Sequence, residues 1–255
     1  MSANDKETVN KKLENLFFNY YQKTGLLAMD ETHQVNYREK FLRERFIERI
    51  LFTTLEEAGL FDLSGKEILV TGLSQDLVPF FLKQGAKPET ITLADVCPQA
   101  LDQAKSNYAN TLNGVKISMD AFPMPDNNYD LIFCQNYLSN IPTNEYIDSI
   151  IREFYRVLKP GGLFLISFTN ETADRDCVQS AGVIRLFRTD EAAGFFEAFQ
   201  VINILDFIPY TFDRFRINEE SSYPEKIGFI EDLLIEQRNR YSEVLLILSK
   251  KDEEK

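Results

Sequence analysis

Between Lys66 and Phe168 short apolar runs alternate with amphipathic stretches, and this alternation limits the fold more than any other feature. The run "KEILVTG" is apolar and β-branched and ends on Gly72, while "DLVPFFLKQGA" returns to the three- and four-residue spacing of a helix. The order then recurs, with "TITLAD" as strand, "PQALDQAKSNYA" as helix, "VKISMD" and "YDLIFCQ" as strands, "TNEYIDSIIREFYRVL" as helix and "GLFLISF" as strand. Strands that alternate with helices pair in parallel, which predicts a doubly wound α/β sheet. "YDLIFC" and "LFLISF" are nearly continuous in apolar residues, as strands covered on both faces are, and belong in the sheet centre.

Before the first strand, "KKLENLFFNYYQ" and "FLRERFIERILFTTLEEAGL" carry helical periodicity, so residues 1–60 are expected to form an N-terminal helical cap and residues 61–255 the main domain. Beyond Phe168 a polar loop leads to a helix in "RTDEAAGFFEAF", which Thr189 or Asp190 is suited to cap. Two strands follow, "QVINILDF" and "SEVLLILSK". The connection between them, about 208–241, far exceeds a hairpin loop of roughly 2 to 5 residues and reads as an inserted lobe. Ile227, Ile230 and Leu234 share one helical face within it, suited to packing on the body or on a second copy in a homodimer.

The charge balance, 28 basic against 40 acidic residues for a net −12, opposes binding to a phosphate backbone, so nucleic acid is not an expected partner. Cys97, Cys134 and Cys177 are odd in number and widely spaced, which suggests neither a disulfide framework nor a metal site. No apolar run approaches the ~20 residues that span a bilayer. With a polar N-terminus, these features predict no membrane segment and a cytoplasmic location.

In an open parallel sheet, ligands bind beyond the carboxyl ends of the strands where strand order reverses. Gly72 lies at the first such end, and Asp95 lies 23 residues later at the second. An acid at that spacing can accept hydrogen bonds from both hydroxyls of a ribose. A glycine that only makes a turn, and an aspartate that only caps the next helix at Pro98, are the plainer readings of the same residues.

The segments "MDAFPMPDNNYDLIFCQNYLSNIP" and "REFYRVLKPGGLFLIS" resemble, in order and spacing, those of the class I S-adenosylmethionine-dependent methyltransferases, and the resemblance covers residues 65–170. It implies a Rossmann-like sheet of seven strands with "SEVLLILSK" antiparallel to the rest, S-adenosyl-L-methionine as cofactor, and a small-molecule acceptor. By the same resemblance Asp95 takes the ribose hydroxyls, Val96 lies beside the adenine, Asp120 faces the adenine amino group and Ala121 adds a backbone contact. Gln135 and Asn136 fall near the methionine end and the acceptor, and Pro160, Gly161 and Gly162 have an architectural role.

The sequence departs from the family pattern at its first turn. Relatives read "DhGxGxG"; here Val70 replaces the acid, Ser74 the second glycine and Asp76 the third, and Gly72 is retained. A serine hydroxyl at Ser74 can donate to the cofactor carboxylate, whereas Asp76 would repel it unless turned away as a helix cap, which implies weaker binding. Ser139 and Asn140 stand where many relatives carry histidines. No catalytic base is assigned: His33 is the sole histidine, and Tyr20, Tyr21 and Tyr37 are placed to close over an acceptor. Two functions remain open, methyl transfer and a non-catalytic role through cofactor or partner binding. A nicotinamide-dependent dehydrogenase shares the fold but lacks support, because GxGxxG is absent.

Overall fold

A computed structural model describes residues 3–23, 37–72, 77–118, 121–173, 184–209 and 241–251. Seven strands form one sheet: β1 (Ile68–Gly72), β2 (Ile91–Asp95), β3 (Asn113–Lys116), β4 (Tyr129–Gln135), β5 (Leu158–Thr169), β6 (Phe199–Pro209) and β7 (Tyr241–Lys250). Their order is β3-β2-β1-β4-β5-β7-β6, so β4 is the middle strand, with β5 beside it. The pairs from β3 through β5 are parallel. β7 runs antiparallel to both β5 and β6, as expected. β3 stops at Lys116, short of the run to Asp120. Its residues are largely exposed at the sheet edge, where pairing gains little burial, and Ser118 turns back to bridge Ala121.

Helices α1 (Ala3–Lys23), α2 (Tyr37–Glu57), α3 (Val78–Lys83), α4 (Pro98–Asn107), α5 (Asn144–Val157) and α6 (Thr189–Gly194) complete the described elements. On α5 the residues Ile147, Ile150, Ile151, Phe154 and Val157 recur at helical spacing and are buried on one face of the sheet. Leu13, Phe17 and Tyr21 of α1 join that face, while Ile47, Leu51 and Leu55 of α2 pack with Val70, Phe81 and Phe133 on the other. The two leader helices therefore bury against opposite faces of the sheet. Burying a large aliphatic or aromatic side chain contributes roughly 1.5–3 kcal/mol, so each helix is anchored by its own stripe.

Two local readings are corrected by geometry. The first residue before α6 is Arg188, with no side-chain cap, so neither Thr189 nor Asp190 caps it; instead Arg188 Nε donates to Asp190 Oδ1 at 3.1 Å. The "LKPGG" segment lies within β5, where the register shifts between Tyr129/Leu158 and Leu131/Leu163. Gly161 has φ +70, and a Cβ on Gly162 would sit 2.8 Å from Leu158 Cδ1 and from the Lys159 carbonyl oxygen. The architectural role of these glycines follows from that crowding. No helix among the described residues is long and apolar enough to cross a membrane.

Candidate functional site

β1 pairs with β2 on one side and with β4 on the other, so strand order reverses at β1 and a cleft opens beyond its carboxyl end. Gly72 closes β1 with φ +69, and a Cβ there would lie 3.2 Å from the Gln135 carbonyl oxygen and 3.3 Å from Cδ2 of Tyr137. The turn thus demands glycine both for its backbone and for its space. Gly72, Ala94, Asp95, Ala100, Leu101 and Ala104 line the cleft. Asp95 ends β2 at its rim, with 4% of its surface exposed.

Both carboxylate oxygens of Asp95 are engaged. Oδ1 accepts the backbone N–H of Cys97 at 2.8 Å, an aspartate turn two residues long, and Cys97 precedes α4 without a side-chain cap. Asp95 therefore shapes the entry to α4 without capping it. Oδ2 accepts the hydroxyl of Tyr21, which α1 delivers from 74 residues away. The Phe17 ring braces this contact, with its centroid 5.8 Å from Tyr21 and 4.8 Å from Tyr137. Tyr21, expected over the acceptor, lies instead on the ribose-binding candidate. Leu13, Phe17 and Tyr21 recur at four-residue steps, so their shared face was legible, but its target was not.

Burial pushes the Asp95 carboxyl up to about 7, with the Tyr21 hydroxyl and the amides of Cys97 and Val96 pulling it back down. The folded state thus keeps a proton that the unfolded chain releases near 3.8. Fewer protons are bound in the unfolded state across that window, so this group's contribution to stability falls as pH rises from about 4 to about 7 and is level above. Each pH unit is worth about 1.4 kcal/mol, which sums to roughly 4 kcal/mol. Urea unfolding should show Asp95→Asn gaining on the wild type by that order between pH 4 and pH 8. A constant gap between the two across the range would show that Asp95 ionises in the folded protein like an exposed acid.

Past β4 the chain kinks at Asn136, with φ +50, a left-handed conformation that asparagine tolerates. The kink separates its neighbours. Gln135 and Asn136 turn toward β5 and β7: the Thr169 hydroxyl donates to Asn136 Oδ1 at 2.6 Å, the Ser167 hydroxyl donates to Glu243 Oε2 at 3.0 Å, and Gln135 Nε2 approaches the same oxygen at 3.5 Å. Because β7 is antiparallel, its first residues lie at the carboxyl edge, and Glu243, 6% exposed, joins a polar cluster there. Ser139 Oγ accepts the Thr169 amide at 2.8 Å and Asn140 Nδ2 donates to the Asn136 carbonyl at 3.1 Å, so both positions are structural. Tyr137, in contrast, turns toward Gly72 and Phe17. Its hydroxyl and Asn140 Oδ1 are buried without a hydrogen-bond partner among the described residues.

Val96 is 3% exposed beside Asp95, and Ala121 lies exposed after the β3 turn. That loop is held from α5: Arg156 donates to the carbonyls of Phe122 and Met124, both at 2.8 Å, and to Glu153, whose Oε2 also accepts the Phe122 amide at 2.7 Å. Val70, where the resemblance sets an acid, is 2% exposed in the apolar layer under α3. Ser74, Asp76, Asp120 and His33, the side chains of Tyr20 and Tyr37, and residues 210–240 of the expected insertion lie outside the described residues.

Known proteins agree with this architecture. Residues 71–166 match a family profile described as a methyltransferase domain. The match runs from the end of β1 into β5, and the sheet order with its antiparallel last strand is the Rossmann-like arrangement expected of such a domain. Over 119 residues the chain is 33% identical to a ubiquinone/menaquinone biosynthesis C-methyltransferase of Shewanella sediminis, covering 44% of this chain and 45% of that protein. The chain thus spans less than half the length of that relative. Among solved structures, phosphoethanolamine N-methyltransferase 2 of Haemonchus contortus, in complex with S-adenosyl-L-methionine, superposes with a TM-score of 0.60 at 14% identity, over 92% of this chain and 60% of that one. A SAM-dependent methyltransferase of Archaeoglobus fulgidus gives 0.55 at 13% identity, over 85% and 100%. The [4+2]-cyclase SpnF gives 0.54 at 17% identity, over 81% and 82%. At such identities the structural likeness establishes the fold alone.

Proposed function

We propose that the protein binds S-adenosyl-L-methionine in the cleft between β1, β2 and β4 and transfers its methyl group to a small molecule. The observation that carries this reading is the pairing of Gly72 and Asp95, a glycine-dependent turn beside a buried carboxylate at the point where strand order reverses. The residues fit the cofactor: Gly72 leaves room where any side chain would strike Gln135 and Tyr137, and Asp95 offers two oxygens to a pair of ribose hydroxyls. Val96 and Ala121 flank the adenine end in this reading.

When bound, the cofactor supplies an electrophilic methyl on a sulfonium. The protein's part is positioning and exclusion of water, because an in-line displacement needs aligned partners more than it needs an acid or base. Phe17 and Tyr137 would shield the cleft, and Tyr21 must leave Asp95 Oδ2 for two ribose hydroxyls to be held. At the far side, Glu243, with Ser167 and Gln135, can orient an acceptor that carries an N–H or O–H group. The matched C-methyltransferases supply a precedent for small-molecule acceptors in biosynthesis.

A second reading is favoured by one observation, the occupation of both Asp95 oxygens by Tyr21 and Cys97. In it the chain keeps the fold and acts through a partner without turning over, a homodimer being one form of that association. Calorimetric titration with S-adenosylhomocysteine decides between the two. Binding heat with a rise in Tm supports the cofactor reading. No heat and no shift at about millimolar ligand, far beyond the concentration at which a functional site saturates, would leave the non-catalytic reading in its place.

A further inference from the structure

We infer that Tyr137 is a cofactor-binding residue whose hydroxyl donates a hydrogen bond to the ribose of the adenosyl ligand held by Asp95, an inference that rests on the cofactor reading above. Tyr137 follows the kink at Asn136, and it is 1% exposed. Its ring packs against Phe17 with centroids 4.8 Å apart and 37° between planes, and it lies 3.3 Å from where a Cβ on Gly72 would be. The ring therefore packs between Phe17 of α1 and Gly72, which itself lines the cleft.

Its hydroxyl is buried without a hydrogen-bond partner among the described residues. A tyrosine keeps its Oη in such a place at a cost, since a buried hydroxyl that has left water normally finds a partner in the protein. Phenylalanine would fill the same space without that cost. Burial, and after it the Asp95 charge, raises the Tyr137 phenol as it does that of Tyr21. Two phenols and one carboxylate thus converge under α1. Tyr21 is satisfied by Asp95, and Tyr137 is not satisfied by anything among the described residues.

A ribose completes this arrangement. Its hydroxyls donate to Asp95, and their oxygens remain free to accept, which is what a phenol beside the carboxylate supplies. Gly72 and Asp95 line the same cleft, and the Tyr137 ring lies against Gly72 at its edge. Asn136 makes the arrangement possible: its left-handed backbone sends Gln135 toward β7 and Tyr137 toward Gly72 and Phe17, and an extended residue there would not reverse the two.

The experiment compares wild type with Tyr137→Phe, using S-adenosylhomocysteine and adenosine as probes, with Tm of the ligand-free proteins measured alongside. The expected result is a ligand-free Tm at or above that of wild type, because an unsatisfied hydroxyl has been removed, together with about tenfold weaker binding of both probes. Equal loss on adenosine places the contact on the nucleoside. Unchanged affinity for both probes overturns the inference while leaving the cofactor reading intact. So does a lower ligand-free Tm, which would mean that the hydroxyl has a partner inside the protein. Weakened binding of S-adenosylhomocysteine with adenosine unaffected overturns the assignment to ribose. Wild type that binds neither probe overturns the cofactor reading, and this inference with it.

Discussion

Replacing Asp95 with alanine is expected to weaken S-adenosylhomocysteine binding by at least about a hundredfold, the largest effect on affinity of any single side chain in the cleft. Two hydroxyls bonded to one ionised carboxylate contribute about 1.5–3 kcal/mol each where water is excluded, and their joint loss spans roughly two to four powers of ten. The same logic gives a pH dependence. Hydroxyl donors favour the ionised carboxylate, and Asp95 is held up to about 7, so binding must expel a proton below that value. Affinity of the wild type should therefore fall by up to about tenfold per unit below pH 7 and level off above it. Tyr21→Phe is the companion variant: it removes the group that competes for Oδ2, and binding should be preserved or tightened. Calorimetry on each variant, with circular dichroism to show that it is folded, checks all three. Equal affinity in wild type and Asp95→Ala would mean that the ribose contact belongs to another residue.

Gly72→Val is expected to cost more in stability than any other conservative change at the cleft, about 3 kcal/mol or more. Its φ of +69 is a region that L-residues enter at a cost of about 1–2 kcal/mol, and a β-branched side chain is the worst suited to it. Crowding adds to the strain, since the new Cβ would meet the Gln135 carbonyl at 3.2 Å and the Tyr137 ring at 3.3 Å. Neither neighbour can retreat easily, because Gln135 lies in the middle strand and Tyr137 is packed on Phe17. For a chain of this size the loss corresponds to a Tm lower by roughly 6–12 °C. Gly72→Ala should fall between the two, because it has the strain without the branching. Thermal unfolding of the three proteins measures the series, and a Gly72→Val protein as stable as wild type would show that the turn relaxes away from the left-handed region.

Much of the sheet could be read from periodicity. "TITLAD", "YDLIFCQ" and the helix from Asn144 match the strands and helix observed, because each buries a continuous apolar stripe and such stripes are local in sequence. The position of Asp95 at a strand end followed from the same pattern. The extent of β3 did not, since its residues are exposed at an edge and carry little signal. The resemblance sets Gln135 and Asn136 near the methionine end and the acceptor. They lie at the carboxyl edge, where their side chains join Thr169, Ser167 and Glu243, and the kink turns Tyr137 toward Gly72 and Phe17.

By itself, then, the sequence determined the order of elements, the turn at Gly72 and the acid at the end of β2, because the stripes and turns that define each element are local in sequence. Tertiary structure alone decided who meets that acid. The hydrogen bond from Tyr21 to Asp95 joins residues 74 apart, and that from Ser167 to Glu243 joins residues 76 apart. Contacts at such separations are set by how a helix docks on a sheet face and by which direction the last strand runs. No local spacing encodes either, since the same stripe of Leu13, Phe17 and Tyr21 would be equally apolar on any other surface it covered.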